Sequence, residues 1–116
     1  MENYKRTDRL GDQFRMEIAD ILLKKIQDPR IGFATVTSVE ISVDLRHAKV
    51  FVSSLEEPAA KERTLKALKQ AAGFIRSELG KRLKLRRIPE LVFYQDQSLE
   101  KAAHLYEVIE GLGKES

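Results

Sequence analysis

The sequence predicts a small α+β domain, a three-stranded sheet with helices packed on one face. Three patterns carry that expectation. Residues 10–26 place apolar side chains every three or four positions, the period of a helix with one buried stripe. Residues 33–54 change to alternation and are divided by one short turn, as in an antiparallel hairpin. Residues 58–85 return to helical spacing and lead into a compact apolar run, Leu91 to Tyr94, that reads as a third strand.

The first helix begins at Thr7 or Asp8, either of which can serve as its N-cap. Its stripe is Leu10, Phe14, Ile18, Ile21, Leu22 and Ile26, while Asp12, Glu17, Asp20, Arg15, Lys24 and Lys25 share the outer face. Asp28-Pro29 stops it, because the residue before a proline is pushed out of the helical region. The first strand is expected from Phe33 to Val43, with Phe33, Thr35, Thr37, Val39, Ile41 and Val43 on one face. Asp44-Leu45-Arg46-His47 supplies the turn. The second strand, Ala48 to Ser54, buries Ala48, Val50 and Val52.

Glu56-Glu57-Pro58 starts the next helix, with proline at a position that needs no N–H donor and acids at the positive end of the dipole. Leu65, Leu68, Ala72, Ile75 and Leu79 form an unbroken stripe, so both halves face the same sheet. In the middle stands Ala71-Ala72-Gly73. One helix with a tolerated glycine would fit this text. The expectation adopted is a kink or interruption that divides two helical segments, with Gly73 allowing close approach of another backbone. Leu91, Val92, Phe93 and Tyr94 are apolar on both faces, which suits a central or doubly covered strand. Ser98 then caps a last amphipathic helix with Glu100 in its first turn. Its stripe is Leu99, Ala102, Tyr106, Ile109 and Leu112, and Gly111 and Gly113 end it. The predicted order is α-β-β-α-α-β-α in a single domain over 1–116. Residues 6–110 are expected to be ordered, and 1–5 and 113–116 to be flexible.

The 116 residues, 42% apolar and 34% charged, describe a soluble globular chain large enough to bury its own core. Cysteine is absent, which excludes disulfides, thiolate metal sites and a cysteine nucleophile. No apolar run approaches the length of a membrane span, and residues 1–10 are too polar for a signal peptide, so the expected location is the cytoplasm. His47 and His104 lack a ligand partner at helical spacing, no phosphate-binding glycine motif is present, and the serines lack a neighbouring base. The expectation is no catalysis, no metal and no cofactor.

Charge is distributed unevenly. From Arg76 to Arg87, Arg76, Lys81, Arg82, Lys84, Arg86 and Arg87 face one acid, Glu78, giving +5, while the whole chain carries only +3. A helix end needs one or two cations to satisfy its dipole, whereas this segment puts five between residues 81 and 87. Such a cluster fits a polyanion, and the lack of interleaved aromatics points to phosphate backbone and RNA shape more than base stacking. Lys5, Arg6 and Arg9 could extend the surface. The other reading is a small protein-interaction or ligand-sensing domain whose basic run meets an acidic protein.

The element order, with paired helices meeting at a minimal join, resembles a type II KH domain, although a glycine loop between the helices is replaced by Ala71-Ala72-Gly73. Asp28-Pro29-Arg30, Val36-Thr37-Ser38-Val39 and the hairpin from Val43 to Ser53 add to this. Over roughly Arg6 to Ile109 the chain resembles the bacterial ribosome-binding factor A family. That resemblance implies a KH-like α-β-β-α-kink-α-β-α fold and a non-enzymatic assembly factor, and the chain is expected to be a monomer. It would bind the free or immature small (30S) ribosomal subunit through 16S rRNA and support late maturation, 5′-end processing and cold adaptation. It also implies Ala71, Ala72 and Gly73 as the helix kink. Charge then nominates Arg30, Arg46, Lys49, Arg76, Lys81, Arg82, Lys84, Arg86 and Arg87 as RNA contacts.

Overall fold

The computed structural model describes residues 6–31, 34–54, 57–97 and 109. In order these form α1 (Arg6–Lys24), β1 (Thr35–Ile41), β2 (His47–Ser53), α2 (Pro58–Leu83) and β3 (Glu90–Gln95). The calls on residues 1–5, Phe33, Glu56, Ser98 and the last helix with His104 lie outside the described residues, apart from Ile109.

The helix stripe of α1 is as expected: Phe14, Ile18, Ile21 and Leu22 are buried, with Leu10 and Ile26 packed at the margin. Thr7 and Asp8 do not cap it, since both lie inside a helix that already includes Arg6, and Asp8 falls in the first turn. A glycine not singled out by its spacing matters more. A Cβ at Gly11 would collide with the Val39 carbonyl oxygen of β1, so α1 can lie this close to the sheet only with glycine there. Gly73, by contrast, has nothing within 4 Å of a Cβ position, so it permits no close approach within the chain.

β1 and β2 pair antiparallel, and β3 joins β2 in parallel, giving the order β1-β2-β3. Parallel pairing demands a long crossover, which the 26 residues of α2 supply. The central strand is therefore β2, and β3 is an edge. The apolar text on both sides of β3 has a different origin. Leu91 and Phe93 are buried toward the helices, and Tyr94 on the opposite face stacks on Phe51 at 5.7 Å between centroids and 28° between planes.

In β1 the register shifts between Val36 and Ser38. This bulge makes Thr37 an extra residue and turns Val36 onto the buried face beside Val39 and Ile41, while Thr35 is exposed. The Thr37 hydroxyl lies 2.6 Å from an Asp96 carboxylate oxygen, tying the bulge to the end of β3. Strict alternation from Phe33 to Val43 therefore fails at two places. Val36 replaces Thr35 and Thr37 inside, and Val43, beyond the end of the strand, is 91% exposed.

α2 is one uninterrupted helix from Pro58 to Leu83, so Ala71-Ala72-Gly73 lies inside a helix and does not join two. Proline stands at its start as expected, and Glu57 occupies the N-cap without a side-chain hydrogen bond. Its buried residues are Thr64, Ala67, Leu68, Ile75 and Leu79. Thr64 is the exception by chemistry, and its hydroxyl donates to the Arg30 carbonyl. Phe14, Ile18, Ile21, Leu68, Ile75, Leu79, Val50 and Phe93 are the largest fully buried side chains, each worth about 1.5–3 kcal/mol of transfer free energy. No helix among the described residues is long and apolar enough to cross a membrane.

Candidate nucleic-acid interface

The site is built on the end of α2 and the loop that follows it. The helix stops at Leu83, and Lys84 takes the left-handed conformation at the C-cap with φ 53°. Leu85 and Ile88 turn inward and pack on the core, so the intervening cations are pushed outward. Arg76 fastens the loop from below: its Nε donates to the Pro89 carbonyl at 3.2 Å and its Nη2 to the Ile88 carbonyl at 2.8 Å. Pro89 then leads into β3, whose first amide, Glu90, donates to the Arg46 carbonyl at 2.9 Å. Lys84, Arg86 and Arg87 thus stand exposed on a loop pinned at both ends, and their side chains form no ion pair among the described residues.

That last hydrogen bond brings the β1–β2 turn to the same end of the sheet. The turn is defined by Ser42 and Asp44. The Ser42 hydroxyl donates to Asp44 Oδ1 at 2.6 Å, and the same carboxylate oxygen accepts from the Arg46 amide at 3.1 Å. These two bonds, the hydroxyl's first, hold the Asp44 carboxyl below its usual range. Arg46 itself projects from the turn as an exposed cation. A groove at this end is bounded by Arg6 and Arg9 of α1, by Val43 and Leu45 of the turn and by Leu85. Arg6 and Arg9 thus join Arg46, Lys84, Arg86 and Arg87 at one pole of the molecule, as the charge of the N-terminal segment suggested.

Other nominated residues are placed differently. The Arg82 guanidinium crosses to α1 and donates to Asp20 at 2.7 Å and Glu17 at 3.1 Å, with its side chain only 22% exposed. It draws the Asp20 carboxyl below its ordinary value, with Lys24 at 3.1 Å adding to the effect, and its own pKa is raised in return. Arg30 grips Asp28 at 2.7 Å and lies 3.4 Å from the Gln70 side chain. This pair lowers Asp28 and raises Arg30. It belongs to the opposite pole, since the 7 residues of β1 between Ala34 and Ser42 span about 20 Å. Lys49 lies on the sheet face away from the helices, in register with Glu40 and Val92. Lys81 reaches Glu78 at 3.3 Å in an exposed pair of small energetic weight. Ala71 and Ala72 are half-buried, whereas Gly73 and Phe74 face solvent.

The structure therefore gathers four of the nine nominated cations into one surface, adds two arginines from α1, and gives Arg30, Arg76, Lys81 and Arg82 protein partners. Sequence reading missed the apolar floor of Val43 and Leu45 between these charges. The signal available was a leucine placed where a turn favours Gly, Asn or Asp. Among the described residues no group of three or more His, Cys, Asp or Glu could hold a metal ion. What the arrangement offers is a pole of fixed, solvent-exposed cations, suited to phosphate groups.

The sequence profile of ribosome-binding factor A matches residues 6–109. The chain belongs to the ribosome-binding factor A family. The family member from Desulfitobacterium hafniense (strain DSM 10664 / DCB-2) is 47% identical over 110 residues, covering 95% of this chain and 88% of its own. The one from Natranaerobius thermophilus is 49% identical over 104 residues, covering 90% of this chain and 79% of its own. Among solved structures, a Thermotoga maritima protein studied by solution NMR superposes with a TM-score of 0.72 at 32% identity, covering 84% of this chain and 93% of that one. Coordinates of a homology model of Thermus thermophilus ribosome-binding factor A, fitted into a cryo-electron-microscopy map of its complex with the 30S subunit, superpose with a TM-score of 0.65 at 29% identity. They cover 78% of this chain and 96% of that one.

Proposed function

We propose that this protein is a non-enzymatic assembly factor that binds the free or immature 30S ribosomal subunit, making its contacts through 16S rRNA. The observation that carries this reading is the shared fold with a family member fitted into a 30S complex. The basic pole formed by Arg6, Arg9, Arg46, Lys84, Arg86 and Arg87 supplies the matching chemistry. Arginine forks and a lysine point charge, held at the start of α1, on a hydrogen-bonded turn and on a loop that Leu85 and Ile88 anchor to the core, meet phosphates with little ordering cost.

The likeness to a type II KH domain bears on how RNA is held. A helix running without a break through Ala71-Ala72-Gly73 offers no glycine loop to clamp a nucleotide backbone. Phosphate contact at the loop pole takes its place in this reading. Binding one rRNA conformer more tightly than its competitors shifts the population toward it without catalysis. That effect matters most in the cold, where misfolded RNA helices persist. Late maturation and trimming of the 16S rRNA 5′ end would follow from the shifted population. The protein is read as a cytoplasmic monomer.

Co-sedimentation of the purified chain with small subunits, before and after nuclease treatment, tests the binding. Mapping of 16S 5′ ends in cells depleted of the protein at low temperature tests the maturation role. A protein that pellets with nuclease-treated subunits as well as with intact ones would point to ribosomal proteins in place of rRNA.

A further inference from the structure

The groove at the basic pole has a feature that phosphate binding alone does not need. Its turn wall presents Val43, which is 91% exposed, and Leu45, which is 45% exposed, between flanking cations. Single exposed apolar residues are ordinary on protein surfaces. Leu45 is not ordinary, because it holds φ at 62°, a conformation that bulky side chains enter at a cost and that Asn or Gly enter readily. Burial does not explain the leucine, since it is half open to solvent. The other described non-glycine residue with positive φ is Lys84 at 53°, next to Leu85 on the facing wall. Lys84 owes its conformation to ending α2 as the C-cap, so Leu45 is the strained residue that lines the groove, a position at which strain can serve a site.

We infer that this groove seats an unpaired nucleotide of RNA, the base lying on Val43, Leu45 and Leu85 and the adjoining phosphates on Arg6, Arg9 and Arg46. The inference rests on the RNA-binding reading above and narrows it from phosphate contact to a single-stranded element at this pole. A nucleotide alternates a flat apolar face with a phosphate, and the groove alternates an aliphatic floor with cations. An acidic peptide offers carboxylates on flexible stems and no flat face. The cations here are mostly arginine, which both pairs with phosphate and stacks on a base.

The test measures binding of the full chain to a labelled oligouridylate and to a blunt RNA duplex of equal length. The variants are Leu45→Asn, which suits the turn, and Val43→Thr, which keeps the β-branch. Oligouridylate is expected to bind about fivefold more tightly than the duplex, and each variant to lose about that factor for oligouridylate alone, with no fall in melting temperature. Equal affinity for the two RNAs, or unchanged oligouridylate binding in both variants, overturns the inference. So does displacement of oligouridylate by polyglutamate as readily as by unlabelled polyuridylate, which would mark an acidic-peptide site. Small-subunit co-sedimentation separates the failures. A chain that still pellets with subunits but shows no single-strand preference removes this inference only, whereas one that binds neither removes the RNA reading as well.

Discussion

At Gly11 one hydrogen in place of a methyl decides how closely α1 approaches β1. Gly11→Ala forces the helix away from the Val39 carbonyl, and overpacking of this kind costs about 1–3 kcal/mol, to be read from urea unfolding midpoints. A sequence pattern could not rank this glycine, because the obstacle belongs to a strand 28 positions away in the chain. Arg82 makes the same point for charge. Composition assigns it to the basic run, but Glu17 and Asp20 hold it across the helix interface. Asp20 is depressed chiefly by the hydrogen bond from Arg82, so its contribution to stability is complete above the ordinary carboxylate value near 3.8 and disappears as pH falls through the lower folded value. Arg82→Met is therefore expected to flatten the acid limb of the stability–pH curve below that value. An unchanged limb in acid-titrated unfolding would show that the pair is not coupled to folding. The same variant should bind small subunits nearly as well as the parent chain, because the guanidinium is not part of the exposed surface.

Among the elements, α2 differs most from its sequence reading. Two alanines and a glycine within an apolar stripe suggested a break, yet the stripe itself is what keeps the helix whole. Leu68, Ala72, Ile75 and Leu79 continue onto the sheet from both sides of Gly73, so packing overrides the weak local propensity. Gly73→Ala has open space for its methyl and a helical backbone to occupy. It should raise stability by about 0.5–1 kcal/mol in equilibrium unfolding and leave subunit binding intact. Loss of binding despite higher stability would show that a bend at this position serves the partner. β1 shows the limit of periodicity in a shorter element. Its residues 35–41 alternate only on either side of the bulge, and the bulge depends on partners in β2 and on Asp96, which follows β3. β3 looks central from its own residues, and becomes an edge because α2 carries the chain over to the far side of β2.

For the whole molecule, the fold brings segments of different elements to one pole. The start of α1, the β1–β2 turn and the α2–β3 loop meet there, and each contributes cations that are far apart in the chain. Reversing Lys84, Arg86 and Arg87 to Glu should abolish co-sedimentation with small subunits while leaving the circular dichroism spectrum unchanged, since none of the three has a buried side chain. Retained binding would move the interface elsewhere on the surface. If the pole covers about five phosphates, log K should fall against log salt with a slope of about −4. A slope near zero would remove the electrostatic account.

The sequence by itself determined the kind and order of the described elements apart from the division of α2, together with the apolar stripes of both helices, the hairpin and the excess of positive charge near residue 84. These depend on periodicity and local composition, which any short window of the chain displays. Family membership was also readable there, because Asp28-Pro29-Arg30 and the hairpin from Val43 to Ser53 are local text. The tertiary structure alone decided that Gly11 is the close-contact glycine, that Thr37 bulges, and that β2 is central. It also separated the cations that fasten the fold, Arg76 and Arg82, from those that remain at the surface. Each of these depends on which distant residue stands opposite, and one-dimensional charge or hydropathy does not carry that relation.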